Sequence, residues 1–389
     1  MEPRKIAILG STGSIGVNAL DVVAQFPEKI DVVALAAGKN WKRLVEQAKQ
    51  FRPKIVSVAE EADAARIQDA LPPETRVLSG EEGLREVAAG AGASLVVSAL
   101  VGAAGLPPTL AAIDVGASIA LANKEVLVMA GALVTSRVLA REVELLPVDS
   151  EHAGVAQALA DRPQSQVERI VLTASGGPFR NHSIEAMKNV SLEEALNHPN
   201  WKMGPKITID SASMMNKGLE IIEARWLFGL EPEQVDVLVH PQSIVHAMVE
   251  FVDGSFVAQM SMPDMRIPIA QAIFSPERLS IEAPKLDLAQ VGSLTFEAPD
   301  TERFPCLTHA KGALREGGTA PAVLNAANEV AVASFLSGAS QFMDIPDVVG
   351  ATLAAHENME ADDLGTILEA DRWAREYASA RLNGTAASH

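Results

Sequence analysis

The chain has 389 residues, with 32 Lys and Arg against 50 Asp and Glu, a formal net charge of −18, 48% hydrophobic and 21% charged residues. This length predicts two or three domains with their own cores, and the composition excludes a disordered chain. The negative balance disfavours nucleic acid and anionic membranes as general partners, while the single cysteine, Cys306, excludes an internal disulfide and fits a reducing, cytoplasmic compartment.

No run of about 18 apolar residues is present, so no spanning helix is expected. Arg4-Lys5 leads straight into the short segment Ile6–Leu9, so no secretory leader is expected either. From residue 4 to about 148, apolar runs alternate with amphipathic stretches. Strands are predicted at Lys5–Leu9, Asp31–Ala36, Ile55–Val58, Arg76–Leu78, Ser94–Ala99, Ser118–Leu121 and Glu144–Val148. Helices are predicted at Ser14–Gln25, Trp41–Phe51, Ala62–Leu71 and Leu106–Val115. Continuous apolar runs mark strands buried on both faces, so this half reads as an α/β, Rossmann-like parallel sheet.

Residues 150–274 read as α+β. They hold a helix at Ala153–Leu159, a strand at Val167–Thr173, a turn at Ser175-Gly176-Gly177 and a long helix from Ala212 to Leu230. Ile244–Val252 and Ser255–Met260 flank Asp253-Gly254, a hairpin signature. Pro276, Pro284, Pro299 and Pro305 mark 275–305 as a linker. A helical bundle over 306–389 follows, with helices at Leu307–Leu314, Ala320–Leu336, Ile345–Asn358 and Leu364–Ala380. Its small, polar end, Asn383–His389, is expected to fray.

The first strand runs into Gly10-Ser11-Thr12-Gly13-Ser14-Ile15-Gly16, glycines spaced to let backbone approach a pyrophosphate at a helix N-terminus. The second strand ends Ala36-Ala37-Gly38-Lys39-Asn40, with a cation where NAD-selective sites place an acid, which favours NADP. The competing reading is a solvated turn and helix cap. Asn123, Lys124 and Glu125 follow a strand end and so face the ligand crevice; a plain helix start accounts for Asn123 and Glu125 but not for Lys124.

Asp149 and Glu151 lie two apart at the end of Glu144–Val148 and, in extended geometry, point the same way. Asn216, Lys217 and Glu220 share a helix face at i,i+3 and i,i+4. Three carboxylates without His or Cys suit Mg²⁺ or Mn²⁺, although each acid taken singly also reads as a cap or a surface charge. Ser175, Ser211, Asn216 and Lys217 supply the donors and the point charge that a phosphate needs. The loop His198-Pro199-Asn200-Trp201-Lys202-Met203-Gly204 reads either as buried packing or as a lid that excludes water.

Gly10-Ser-Thr-Gly-Ser-Ile-Gly16, Leu121-Ala-Asn-Lys-Glu125, Pro147-Val-Asp-Ser-Glu-His152, Ser175-Gly-Gly-Pro-Phe179, His198-Pro-Asn-Trp-Lys-Met-Gly204, Lys206-Ile-Thr-Ile-Asp-Ser-Ala-Ser213, Met215-Asn-Lys-Gly-Leu-Glu220 and His240-Pro-Gln-Ser-Ile-Val-His246 occur in this order. Together they resemble the 1-deoxy-D-xylulose 5-phosphate reductoisomerases. The resemblance implies a homodimer in which 1–149 binds NADPH, 150–274 is catalytic and dimerising, and 275–305 links to 306–389. It implies NADPH contacts at Thr12, Gly13, Ser14, Ile15, Gly38, Lys39, Asn40, Asn123, Glu125 and Gly204. The implied ligands of Mg²⁺, Mn²⁺ or Co²⁺ are Asp149, Glu151 and Glu220. Lys124, Ser150 and Glu151 are implied at the substrate backbone, and Ser175, His198, Ser211, Asn216 and Lys217 at its phosphate and hydroxyls. Glu220 is implied to meet the substrate as well. Lys124, Glu151 and His198 are the implied catalytic residues, and Trp201 and Met203 belong to the closing flap. The departure at Pro205, before Lys206, stiffens the flap's exit.

Overall fold

In the first half of the chain seven strands pair: β1 (Arg4–Leu9), β2 (Ile30–Ala36), β3 (Ile55–Val58), β4 (Arg76–Ser79), β5 (Leu95–Ser98), β6 (Ser118–Leu121) and β7 (Leu145–Pro147). All pair in parallel, in the order β4-β3-β2-β1-β5-β6-β7. Ile6, Ala7, Ile8 and Leu9 have no solvent exposure, nor do Val96 and Ile119, as continuous apolar runs require when helices cover both faces. Strand order reverses between β1 and β5, which opens a crevice at their carboxyl ends. Among the connecting helices, Gly80–Ala89 was not predicted because Gly80, Gly83 and Gly90 read as breakers. Gly83 serves packing instead: a Cβ there would lie 2.6 Å from Ser57 Oγ.

The computed structural model describes residues 2–160 and 162–384, so 385–389 of the expected frayed end lie outside the described residues. The chain folds into two compact units, interleaved in sequence. The first comprises 2–126, 134–153 and 264–284. The predicted middle segment ran to 274, yet the helix Arg266–Phe274 packs in this first core through Ile269, Ile273 and Phe274. Phe274 meets Phe26 edge to face at 5.1 Å, and Arg4 donates to the Ile273 carbonyl at 2.9 Å. The helix is apolar around most of its circumference, so it carries no amphipathic period by which to recognise it.

The second unit comprises 127–133, 154–160, 162–263 and 285–384. Its sheet contains β8 (Val167–Ala174), β9 (Val235–Val239), β10 (Val245–Phe251) and β11 (Phe256–Met260), in the order β11-β10-β8-β9. β10 and β11 form the antiparallel hairpin around Asp253-Gly254, with Gly254 at φ +81. The five-residue β9 was missed; it runs parallel to β8 and on its other side bridges Val239 to Glu297. Part of the expected linker is therefore laid against a sheet edge. The expected helix from Ala212 to Leu230 runs Met215–Phe228, and a separate, unpredicted helix, Pro205–Ala212, precedes it across a bend at Met214 with φ +61. The helices Pro305–Glu316, Ala320–Leu336, Asp344–Ala355 and Leu364–Leu382 form the bundle. Leu307, Leu324 and Ile345 of the bundle share one core with Leu172, Leu219 and Val249 beneath the sheet. With aromatics at only 4%, that core is built largely from aliphatic side chains, each fully buried one contributing about 1.5–3 kcal/mol. Among the described residues no helix is long and apolar enough to cross a membrane.

Candidate active site

At the end of β1 the chain turns through Gly10–Gly13 into the helix Ser14–Ala24. Gly10 lies at φ +86, and a Cβ on it would sit 2.5 Å from the Ala99 carbonyl oxygen, so only glycine fits. The helix starts at Gly13 with no side chain capping it, which leaves first-turn N–H groups, including those of Ser14 and Ile15, for an anion. Thr12 lies in the same turn. Ser11 is fully buried: its hydroxyl donates to Gln47 Oε1 and Gln47 Nε2 donates to its carbonyl, both at 2.8 Å. Gln47 pins the turn, and sequence reasoning missed it. Its one signal is a polar residue on the buried face formed by Leu44, Val45 and Ala48. Past β2, Gly38, Lys39 and Asn40 are exposed, and Asn40 caps the next helix by accepting from the Arg43 N–H at 3.3 Å.

Asn123, Lys124 and Glu125 are buried between β6 and the helix Glu125–Arg141. Asn123 Nδ2 donates to the Gly102 carbonyl at 3.0 Å, while its buried Oδ1 has no protein partner. Lys124, only 4% exposed, places Nζ 2.6 Å from Asp149 Oδ2. This pairing explains how a lysine is tolerated at the positive start of a helix. The strand expected to carry Asp149 and Glu151 ends at Pro147, and a helix begins at Ser150. The two acids therefore straddle a helix start rather than sharing one face of an extended strand. Glu151 donates its N–H to Asp149 Oδ1 at 3.4 Å, and the Ser150 hydroxyl donates to Glu151 Oε2. His152, fully buried with Nδ1 3.6 Å from Asp149 Oδ1, was given no role from sequence.

In the second unit, Gly176 and Gly177 adopt φ +81 and +66, and a Cβ on Gly177 would lie 2.7 Å from the Ser211 carbonyl oxygen. That approach sets the Ser175 turn against Ser211. His198 Nδ1 accepts the N–H groups of Asn200 at 3.2 Å and Trp201 at 3.0 Å, so Nε2 carries the proton and donates to Ser175 Oγ at 2.9 Å. Both residues line a 610 Å³ pocket, together with Arg180, His182 and Asn197. Asn200 Nδ2 donates to the Pro241 carbonyl at 2.6 Å and to Ser243 Oγ at 2.8 Å, anchoring the flap segment. Trp201 stands 6.3 Å from the His246 ring; Trp201 and Met203 are half-buried, and Gly204 is exposed. Asn216 and Lys217 donate to separate oxygens of Glu220, with Lys217 3% and Glu220 1% exposed.

Burial lowers the His198 pKa to about 4. A depressed histidine pKa means the unfolded chain binds more protons between about 4 and 6.5, so stability from this group falls as pH drops through that window. At neutral pH the ring is an uncharged donor. An NMR titration of labelled histidine is expected to place the His198 midpoint near 4; a midpoint at the unperturbed value would remove this assignment.

The chain is 54% identical, over 98% of its length and 100% of the relative's, to the 1-deoxy-D-xylulose 5-phosphate reductoisomerase of Chlorobium phaeobacteroides. It belongs to the 1-deoxy-D-xylulose 5-phosphate reductoisomerase family. A reductoisomerase of the same description from Heliobacterium modesticaldum is 52% identical, covering 97% of each chain. Family models match residues 6–131 (1-deoxy-D-xylulose 5-phosphate reductoisomerase), 145–228 (its C-terminal domain) and 260–377 (DXP reductoisomerase C-terminal domain). The Zymomonas mobilis reductoisomerase solved with NADPH superimposes with a TM-score of 0.92, at 43% identity and covering 98% of this chain and 99% of that one. A DOX-P reductoisomerase with NADPH, fosmidomycin and magnesium gives 0.94, at 43% identity and 98% of each chain. Cys306 is fully buried, with its thiol pushed up to about 12 by burial and by Asp210.

Proposed function

We propose that the protein converts 1-deoxy-D-xylulose 5-phosphate, NADPH and a proton to 2-C-methyl-D-erythritol 4-phosphate and NADP⁺, a step in non-mevalonate isoprenoid precursor synthesis. The observation that carries this reading is that the family likeness covers 98% of the chain rather than one nucleotide domain. When bound, NADPH supplies a hydride and a divalent cation supplies Lewis acidity toward adjacent substrate oxygens.

The residues fit both groups. Gly10 and the uncapped Gly13 helix form a phosphate cradle, and exposed Lys39 meets the 2′-phosphate. Thr12, Ser14, Ile15, Gly38, Asn40, Glu125 and Gly204 complete the NADPH site. The orphan Asn123 Oδ1 suits the carboxamide N–H of a nicotinamide. Asp149, Glu151 and Glu220 offer only oxygen, which fits Mg²⁺, Mn²⁺ or Co²⁺.

Ser175, Ser211, Asn216, Lys217 and neutral His198 bind the phosphate and nearby hydroxyls, and Ser150 and Glu151 orient the carbon backbone. The rearrangement breaks one carbon–carbon bond and makes another, and the resulting aldehyde carbon accepts the hydride. Lys124 holds a proton on Nζ and delivers hydrogen-bond stabilisation, then the proton, to the oxygen that gains charge. Trp201 and Met203 close over the substrate and exclude water.

We assign 1–149, completed by 264–284, to cofactor binding, 150–263 to catalysis and dimerisation, and 306–389 to the helical domain reached through 285–305. The protein acts in the cytoplasm on a small sugar phosphate, without nucleic acid or membrane as a partner. For the dimer, β11 is an edge strand whose exposed face carries Phe256, Ala258 and Met260. Phe256→Glu is expected to shift sedimentation from dimer to monomer; an unchanged dimer would move the contact elsewhere.

The reaction is tested by NADPH absorbance on adding 1-deoxy-D-xylulose 5-phosphate, with metal and with excess chelator. Loss of absorbance with metal and none with chelator is expected. No substrate-dependent loss with metal present would overturn the reading.

A further inference from the structure

Within the segment Lys206–Ser213 only Ser211 has so far been given a role. Asp210, immediately before it, is 1% exposed on the helix Pro205–Ala212. A carboxylate that far from water requires partners on both oxygens. Oδ2 pairs with Lys206 Nζ at 2.8 Å, one turn back along the same helix. Oδ1 accepts from Asn328 Nδ2 at 2.8 Å, and Asn328 is fully buried in the bundle helix Ala320–Leu336, 118 residues later. Nothing in the chemistry assigned above uses Asn328.

The bend that follows Asp210 separates the proposed phosphate donors, Ser211 before it and Asn216 and Lys217 after it. No glycine makes this bend. Met214 takes the left-handed conformation, at φ +61, which costs a residue with a Cβ and persists only where its surroundings hold it. Asp210 supplies part of that hold: its carbonyl accepts from Ser213 Oγ at 3.2 Å, and Ser213 Oγ in turn accepts the Met215 N–H at 3.4 Å.

We propose that Asp210 and Asn328 are positioning residues for substrate phosphate binding. Their hydrogen bond ties the bundle to the bend and fixes Ser211, Asn216 and Lys217 in the arrangement that one phosphate accepts. This rests on the reading of those three residues as the phosphate site.

The test uses the full-length enzyme with NADPH and Mg²⁺. Asn328→Ala is expected to raise KM for 1-deoxy-D-xylulose 5-phosphate about tenfold, the loss of one buried charge-assisted hydrogen bond, with kcat and the KM for NADPH within about twofold. Asn328→Asp sets two carboxylates together. Its KM defect is expected to exceed that of Asn328→Ala, because an acceptor replaces the donor that faces Asp210 Oδ1.

A folded Asn328→Ala enzyme with unchanged substrate KM, or with both KM values raised together, would overturn the proposal. Should that variant not fold, Lys206→Met decides, with a smaller rise in substrate KM alone expected and no rise overturning it. Ser211→Ala separates the two readings. If it leaves substrate KM unchanged, the phosphate assignment fails; if it raises KM while Asn328→Ala does not, only the positioning role fails.

Discussion

Lys124→Ala is expected to lower kcat by about 10³-fold, within the range that a positioned proton donor contributes. The reasoning starts from burial. Nζ lies in a side chain 5% exposed and pairs with Asp149, so the ammonium is held in one direction in a place of low water content, where its charge acts strongly on an oxygen that becomes negative. Removing it deletes a stabilisation made chiefly as charge develops, so kcat and kcat/KM should fall together. NADPH affinity should change little. Asp149, whose side chain is 10% exposed, keeps the Glu151 N–H but loses its cation, so some stability is lost and turnover is compared on folded enzyme. Lys124→Arg tests the geometry: a planar fork on a longer stem cannot reproduce a point charge, so little activity should return. Near wild-type turnover in a folded Lys124→Ala enzyme would end this assignment.

Glu220→Gln carries the second large effect. The substitution keeps shape and one acceptor oxygen but removes the negative charge from a residue 1% exposed. The concentration of Mg²⁺ giving half-maximal rate should rise by at least about 10–100-fold, since a hard cation binds carboxylate oxygen far better than a neutral amide. Activity at low metal should be nearly abolished and should return in part at high metal. Lys217, 3% exposed, loses its charged partner, so a fall in stability of a few kcal/mol accompanies the change; breaking a buried pair costs about 3–5 kcal/mol. Metal titration separates the two effects, since excess Mg²⁺ restores rate without restoring Lys217's partner. An unchanged metal requirement would remove Glu220 from the ligand set.

The local structure of the candidate site was legible where it lies in short motifs. Gly10–Gly16 and Met215–Glu220 are local objects: a tight turn into a helix, and three side chains brought onto one helix face by its period. Gln47 and Asn328 were not legible, because a buried glutamine or asparagine takes its meaning from a partner distant in sequence. Ser11 is 36 residues from Gln47, and Asp210 is 118 from Asn328. The Asp149 and Glu151 geometry was misjudged because the strand was carried one residue too far and helix formation at Ser150 was not anticipated.

By itself the sequence determined the parallel α/β half and the hairpin at Asp253-Gly254. Runs of two-face-buried strands, turn chemistry and helical period are all written within a few neighbouring residues. Only the tertiary structure decided that 264–284 completes the first core, that the bundle shares a core with the second sheet, and that Lys124 lies against Asp149. A largely apolar helix such as Arg266–Phe274 is compatible with many cores, and the choice falls to whichever surface leaves the least of it in water. A buried charge, likewise, is assigned its partner by the fold that removes both from solvent.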